Sequence, residues 1–153
     1  MISSMLFVCT ANICRSPMAE YEMRCIAPQL KVVSAGISAL DGEPADAVAT
    51  AVAKKGALDL STHVARQVSD DVIFGHDLIV VMDEGHFQWM RASYPEDRAR
   101  IVKLLHWSGG HDIPDPYRRS VLVYEAVFRK IRQGCMEWCR QLNLPTVIDK
   151  DNY

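Results

Sequence analysis

The chain has 153 residues, 49% of them hydrophobic, and a formal net charge of −2. That is enough for one domain with a proper core and short for two, and without a basic excess the chain is no general binder of nucleic acid or anionic membrane, so any phosphate site must be local. No stretch approaches a membrane span, the apolar run at residues 5–9 is too short for a signal-peptide core, and five cysteines, an odd count, suit reduced thiols better than a disulfide framework, so the chain reads as cytoplasmic.

Short β-like runs alternate with helical patterns. Residues 4–9 form a compact apolar strand. Residues 16–26 read as a helix with Met18, Tyr21, Glu22 and Cys25 along its buried stripe, ended by Pro28. Residues 31–34 predict a second strand, broken by Gly36, and the Ala-rich residues 45–55 a helix stopped at Gly56. Residues 77–82 are apolar after Asp77, as parallel strands buried on both faces are. Asp83 suits the cap of a helix from Glu84 to Ala92. Residues 101–105 make a fourth strand, a Gly/Asp/Pro-rich loop spans 108–116, and a long helix covers 120–142 before Pro145. Strands alternating with helices predict an α/β fold of three layers, a four-stranded parallel sheet flanked by helices. The reading gives one domain over 1–144 and a C-terminal tail over 145–153, to which no role is assigned.

The chemistry concentrates in Cys9-Thr10-Ala11-Asn12-Ile13-Cys14-Arg15-Ser16, a loop between the first strand and the first helix. Successive backbone N–H groups in such a loop form an anion nest, and the helix N-terminus adds free donors and positive dipole. Arg15 can grip two oxygens of a phosphate, and the same positive field favours Cys9 as a thiolate nucleophile. Asp115, in Ile113-Pro114-Asp115-Pro116-Tyr117, emerges at the same end of the sheet and suits a general acid and then base. The protein itself supplies the positive charge, so neither metal nor cofactor is expected. Ser16 reads either as an ordinary helix N-cap before Pro17 or as a hydroxyl donor to the Cys9 sulfur, and both can hold.

Cys9 to Ser16, with Pro17-Met18-Ala19-Glu20 after it and Asp115-Pro116-Tyr117 later, resembles the signature of the low-molecular-weight protein tyrosine phosphatases. Ser34-Ala35-Gly36, His63 with Ala65-Arg66-Gln67, and the run from Asp77 to Asp83 fall in matching order between them. The resemblance implies hydrolysis of phosphotyrosine through a phosphocysteine, with Cys9 as nucleophile, Arg15 as phosphate clamp and Asp115 as acid/base. It implies a phosphate loop from Thr10 to Ser16, with Asn12 in a strained turn supported by Ser16 and His63. Tyr117 becomes a wall of the cleft, with Leu40 from the variable loop beside it. Cys9 and Cys14 become a reversible disulfide pair, against the alternative that Cys14 is a small buried residue. Leu40, and Arg118-Arg119 after Tyr117, resemble the bacterial subgroup paired with tyrosine autokinases of capsule and exopolysaccharide export. The implied partner is then a tyrosine-phosphorylated protein, such as a bacterial tyrosine kinase with a Tyr-rich tail. Arg118 and Arg119 read as a solvated helix start or as a lure for acidic residues near phosphotyrosine.

Cys25, Cys135 and Cys139 read as core, as do Trp89, Trp107 and Trp138 rather than as substrate wall. His76, His86, His106 and His111 read as structural or exposed. A protein-arginine phosphatase of the same fold is the close rival, but such proteins tend to carry Thr where this chain has Ile13. Arsenate reduction needs relayed cysteines in mid-chain, and none lies between Cys25 and Cys135. A non-catalytic phosphate sensor needs neither Cys9 nor Asp115.

Overall fold

A computed structural model describes residues 1–147. Strands β1 (Ser4–Cys9), β2 (Lys31–Gly36), β3 (Leu78–Val81) and β4 (Ile101–Lys103) form one sheet in the order β2-β1-β3-β4. All three pairings are parallel. The helices are α1 (Arg15–Ile26), α2 (Ala47–Lys55), α3 (Asp70–Phe74), α4 (Glu84–Ser93) and α5 (Val121–Gln141), with short 3-10 turns at Pro95–Arg100 and His106–Ser108. The expected three-layer α/β fold is therefore present.

Alternation along β1 divides the core in two. Met5, Phe7 and Cys9 face a cluster containing Met18 and Met23 of α1, Val52 of α2, and Tyr124, Phe128 and Ile131 of α5. Leu6 and Val8 face the other way, onto Ile73 of α3, Met90 of α4 and Ile101 of β4. Because β1 and β3 are buried on both faces, they read as unbroken apolar runs. The chain leaves β1 to one side for β2 and later crosses back to place β3 on the other side. This reversal opens a crevice beyond the C-terminal ends of β1 and β3, where ligands bind in open α/β sheets.

Several expected boundaries move. β2 runs through Gly36, because that residue still pairs with Cys9. α1 begins at Arg15, and Cys14, not Ser16, holds its N-cap position without a side-chain cap bond. Of the expected α1 stripe, Met18 and Glu22 are buried and Tyr21 is half-buried, but Cys25 is exposed, and Ala19, Met23 and Ile26 are buried in its stead. The cause is the two-sided packing of α1, which sits on the sheet and against α5 at once. Cys135, Cys139 and Trp138 lie in the core as expected, whereas Trp89 and Trp107 are exposed at 38% and 45%. The expected tail starts as a tether: Gln29 Nε2 donates to the Pro145 carbonyl and Val147 N–H to that of Ile26, at 2.9 and 2.8 Å. Residues 148–153 of that tail lie outside the described residues. Among the described residues no helix is long and apolar enough to cross a membrane.

Candidate active site

The loop after β1 is shaped by what holds its carbonyls. The carbonyl of Cys9 accepts from Ile37 N–H, Thr10 from Ser38, Ala11 from Leu40, Ile13 from Asp46 and Cys14 from Met18, at 2.8–3.2 Å. The Asn12 carbonyl accepts from His63 Nε2 at 2.7 Å, so this ring nitrogen carries the proton. Every carbonyl from Cys9 to Cys14 is thus held by a neighbour. Among the described residues, no backbone carbonyl takes the N–H of Thr10, Ala11, Asn12, Ile13 or Cys14. With the acceptors held and the donors free, the loop is a ring of N–H dipoles suited to an oxyanion.

Asn12 locks the turn. Its φ of 59° is left-handed, a conformation Asn tolerates better than most residues. Its Nδ2 donates to Ser16 Oγ and Ser34 Oγ, both at 2.8 Å, and its Oδ1 accepts from Arg66 N–H at 2.9 Å. Ser34 Oγ donates in turn to the buried Glu20 carboxylate at 2.5 Å. Ser16 Oγ lies 2.8 Å from Cys9 Sγ. Because the Asn12 amide already donates to Ser16 Oγ, the hydroxyl proton of Ser16 has two acceptors in reach, the sulfur and the Ala35 carbonyl at 3.5 Å, and the sulfur is the nearer. Of the two readings of Ser16, the structure takes the hydroxyl near sulfur and not the helix cap.

Arg15 is 3% exposed and divides its guanidinium. Nη1 donates to Asp83 Oδ2 at 2.8 Å and to the Ile113 carbonyl at 2.9 Å. Nη2 lies 3.8 Å from Asp115 Oδ2. One nitrogen anchors the side chain and another remains near the loop and Asp115. Asp83 also caps α4, accepting from His86 N–H at 2.9 Å. Burial opposes its ionisation, but the bonds from His86 and Arg15 prevail and hold its carboxyl below the usual carboxylate range. His86, buried beside it, places Nε2 2.8 Å from Thr10 Oγ1 and Nδ1 3.3 Å from Asp83 Oδ1. Burial pulls its pKa down to about 4, so the ring is neutral at pH 7.

Asp115 is fixed through its neighbours. Ile113 N–H donates to the Met82 carbonyl at 2.9 Å. Lys103 Nζ lies 2.6 Å from Asp112 Oδ1, which accepts from Glu84 N–H at 3.0 Å. Asp115 itself accepts from Tyr117 N–H at 3.1 Å and is 54% exposed, at the mouth of the site. Cys9, Thr10, Ala11, Ile13, Cys14, Arg15, Leu40, Asp115 and Tyr117 line one cleft of about 330 Å³. Leu40 and Tyr117 are both partly exposed at it. Arg118, with φ of 60°, sets its guanidinium 5.3 Å from the centroid of the Tyr117 ring. Arg118 and Arg119 stand in an exposed turn before α5 rather than in its first turn. Cys9 and Cys14 are both free thiols, and burial, reinforced by Asp46, pushes the Cys14 thiol up.

The site residues expected from sequence therefore come together. What the sequence reading missed are the partners: Asp83 as the anchor of Arg15, Ser34 and Glu20 behind Asn12, and His86 against Thr10. Asp83 was visible only as a cap, and the Asp-x-x-His spacing was the one available hint that His86 turns back toward the loop.

Residues 4–147 match the profile of the family described as "Low molecular weight phosphotyrosine protein phosphatase". The chain is 39% identical over 147 residues to the low molecular weight protein-tyrosine-phosphatase Wzb of Escherichia coli K12, covering 96% of this chain and 100% of that one. The structure of Vibrio vulnificus Wzb in complex with benzylphosphonate matches at TM-score 0.89 and 35% identity, over 92% of this chain and 99% of that one. The YwlE arginine phosphatase of Geobacillus stearothermophilus matches at TM-score 0.85 and 29% identity, over 92% of each chain. The chain is a member of the low-molecular-weight phosphotyrosine protein phosphatase family and a protein-tyrosine phosphatase.

Proposed function

We propose that this phosphatase works by double displacement at Cys9. The Cys9 thiolate attacks phosphorus in line, while the loop N–H groups from Thr10 to Ser16 and the free side of Arg15 hold the equatorial oxygens. Asp115 protonates the leaving phenolic oxygen and then takes a proton from the water that hydrolyses the phosphocysteine. Ser16 donates to sulfur, which steadies the thiolate before attack and improves sulfur as a leaving group afterwards. The observation that carries this reading is the convergence of Cys9, Arg15 and Asp115 on one cleft floored by the N–H ring. The substrate is phosphotyrosine on a protein, its ring between Leu40 and Tyr117, with apolar Ile13 below. The physiological partner is a bacterial tyrosine autokinase of polysaccharide export, dephosphorylated on its Tyr-rich tail. Under oxidant, Cys9 and Cys14 form the protective disulfide, a step that burial of Cys14 slows.

The test is hydrolysis of an aryl phosphate by reduced protein in the presence of chelator. Cys9→Ser is expected to be inert while still binding phosphate, and Asp115→Asn to be slowed by about 10²–10⁴-fold, the usual share of general acid–base catalysis. Turnover by Cys9→Ser would end the phosphocysteine reading. Faster turnover of phosphoarginine than of the aryl ester would replace the substrate assignment, and a phosphorylated kinase tail left untouched would remove the proposed partner.

A further inference from the structure

We propose that His86 is a positioning residue for the phosphatase reaction: its Nε2 accepts a hydrogen bond from the Thr10 hydroxyl and so ties the first residue of the phosphate loop to the Asp83–Arg15 pair at the loop's other end. The inference rests on the phosphocysteine reading of that loop. Thr10 follows the nucleophile directly, and its side chain meets Nε2 of His86 at 2.8 Å. On the far side of the ring, Nδ1 lies 3.3 Å from Asp83 Oδ1 and has no well-formed hydrogen bond. Asp83 Oδ2 holds Arg15 Nη1 at 2.8 Å. One buried imidazole thus stands between Thr10 and the carboxylate that anchors the clamp.

The charge on Asp83 selects the tautomer. A bare Nδ1 would turn its lone pair toward a carboxylate oxygen, whereas Nδ1–H points a positive dipole at it. With the proton on Nδ1, Nε2 can only accept, and the Thr10 hydroxyl must donate. The hydroxyl proton is then directed to α4 and away from the sulfur and the anion. The charged groups around the ring are Asp83 at the start of α4, Arg15 on α1, and Asp112 and Asp115 on the loop before α5. Burial keeps the imidazole neutral among them at pH 7, as this acceptor role requires. If His86 merely filled space, neither the identity of Nε2 nor the Thr10 hydroxyl would matter.

The experiment measures kcat and KM for an aryl phosphate, and competitive inhibition by inorganic phosphate, for His86→Leu, His86→Gln, Thr10→Val, Thr10→Ser and the Leu/Val double variant. His86→Leu and Thr10→Val are each expected to lower kcat/KM about tenfold and to weaken phosphate inhibition, since small displacements of positioning groups cost rate steeply. The double variant should be no worse than the poorer single one, because both remove one bond. His86→Gln, which offers an amide oxygen near Nε2, and Thr10→Ser should recover most of the loss. Losses that multiply to about a hundredfold in the double variant, or unchanged kinetics in the singles, would overturn the proposal. Should His86→Leu fail to fold, the two Thr10 variants read the same bond from the exposed side. In ¹⁵N spectra of the wild type at pH 7, a protonated Nδ1 and bare Nε2 are expected, and the opposite tautomer refutes the assignment. Cys9→Ser, assayed in parallel, reports on the phosphocysteine reading separately, since the tautomer can be measured in the inert protein.

Discussion

Gly36 ends β2 against the phosphate loop, and a Cβ there would lie 2.4 Å from the Thr10 carbonyl oxygen and 3.0 Å from the Asn12 nitrogen. Both atoms are backbone, and the Thr10 carbonyl is already held by Ser38 N–H, so they cannot yield as a side chain would. Gly36→Ala is therefore expected to push the loop off its geometry. The protein should still fold, losing about 1–3 kcal/mol as overpacked sites do, but kcat/KM should fall tenfold or more. Denaturant unfolding together with aryl phosphate kinetics separates the two effects, and unaltered kinetics would show that the loop tolerates the displacement. At this scale the sequence was most telling where chemistry is local. Cys9, Arg15 and Ser16 stand within one short stretch around the start of α1, so the roles proposed for them could be argued from local pattern. Asp83 binds Arg15 across 68 positions and His86 reaches Thr10 across 76. Such pairs exist only once β1 and β3 lie side by side, so no local pattern announces them.

Besides β1 and α1, α2 ties the loop to the larger core cluster. Its N-cap Asp46 accepts from Val48 and Ala49 N–H at 3.1 and 3.0 Å, while its own N–H holds the Ile13 carbonyl. Asp46→Ala removes the cap but keeps the backbone bond. It is expected to cost about 1 kcal/mol of stability and to leave kcat/KM little changed, since only side-chain atoms are lost. A thermal melt and one kinetic run decide this, and a large kinetic loss would mean that the carboxylate itself serves the loop. Elements with a strong local signal were legible: β1 and β3 by their apolar runs, α4 by its cap and α5 by its length fall within a few residues of expectation. α3 was not seen, because five residues carry too little pattern to show a period. β4 proved to be three residues, since the chain turns away at Leu104 to bring the Asp115 loop over β3. The misplaced Cys25 has a similar origin: α1 packs on the sheet and on α5 at once, which centres its buried face on Met18, Ala19, Met23 and Ile26 and leaves Cys25 outside it.

For the whole molecule, acid is the informative perturbation. Burial lowers the pKa of His86 to about 4 from 6.5 and lowers that of His76 as well. The unfolded chain binds these protons first, so stability is complete above pH 6.5 and declines as pH falls toward 4, by an amount on the order of 3 kcal/mol for His86 alone. Asp83, with its pKa lowered, adds its own loss only below the ordinary carboxylate range. Urea unfolding at several pH values between 7.5 and 4 checks the slope, and a flat profile would mean that these rings gain protons without unfolding. The layer architecture was legible because alternating strands and helices leave few arrangements; the strand order was not, since it is set by which neighbours each strand finds.

The held carbonyls of the loop have a kinetic corollary. The dipole ring is complete in the free protein, so little must be rearranged when an anion arrives. Such a socket reads tetrahedral shape and charge and not the group attached beyond them. On the proposed reading, the ion released at the end of each cycle fits the same ring as the ester that began it. The enzyme's working rate then depends on the surrounding concentration of its own product: free phosphate in the cell would hold a share of these sites closed, and at a given phosphate level that share is smaller the more the incoming phosphotyrosine gains from Leu40 and Tyr117.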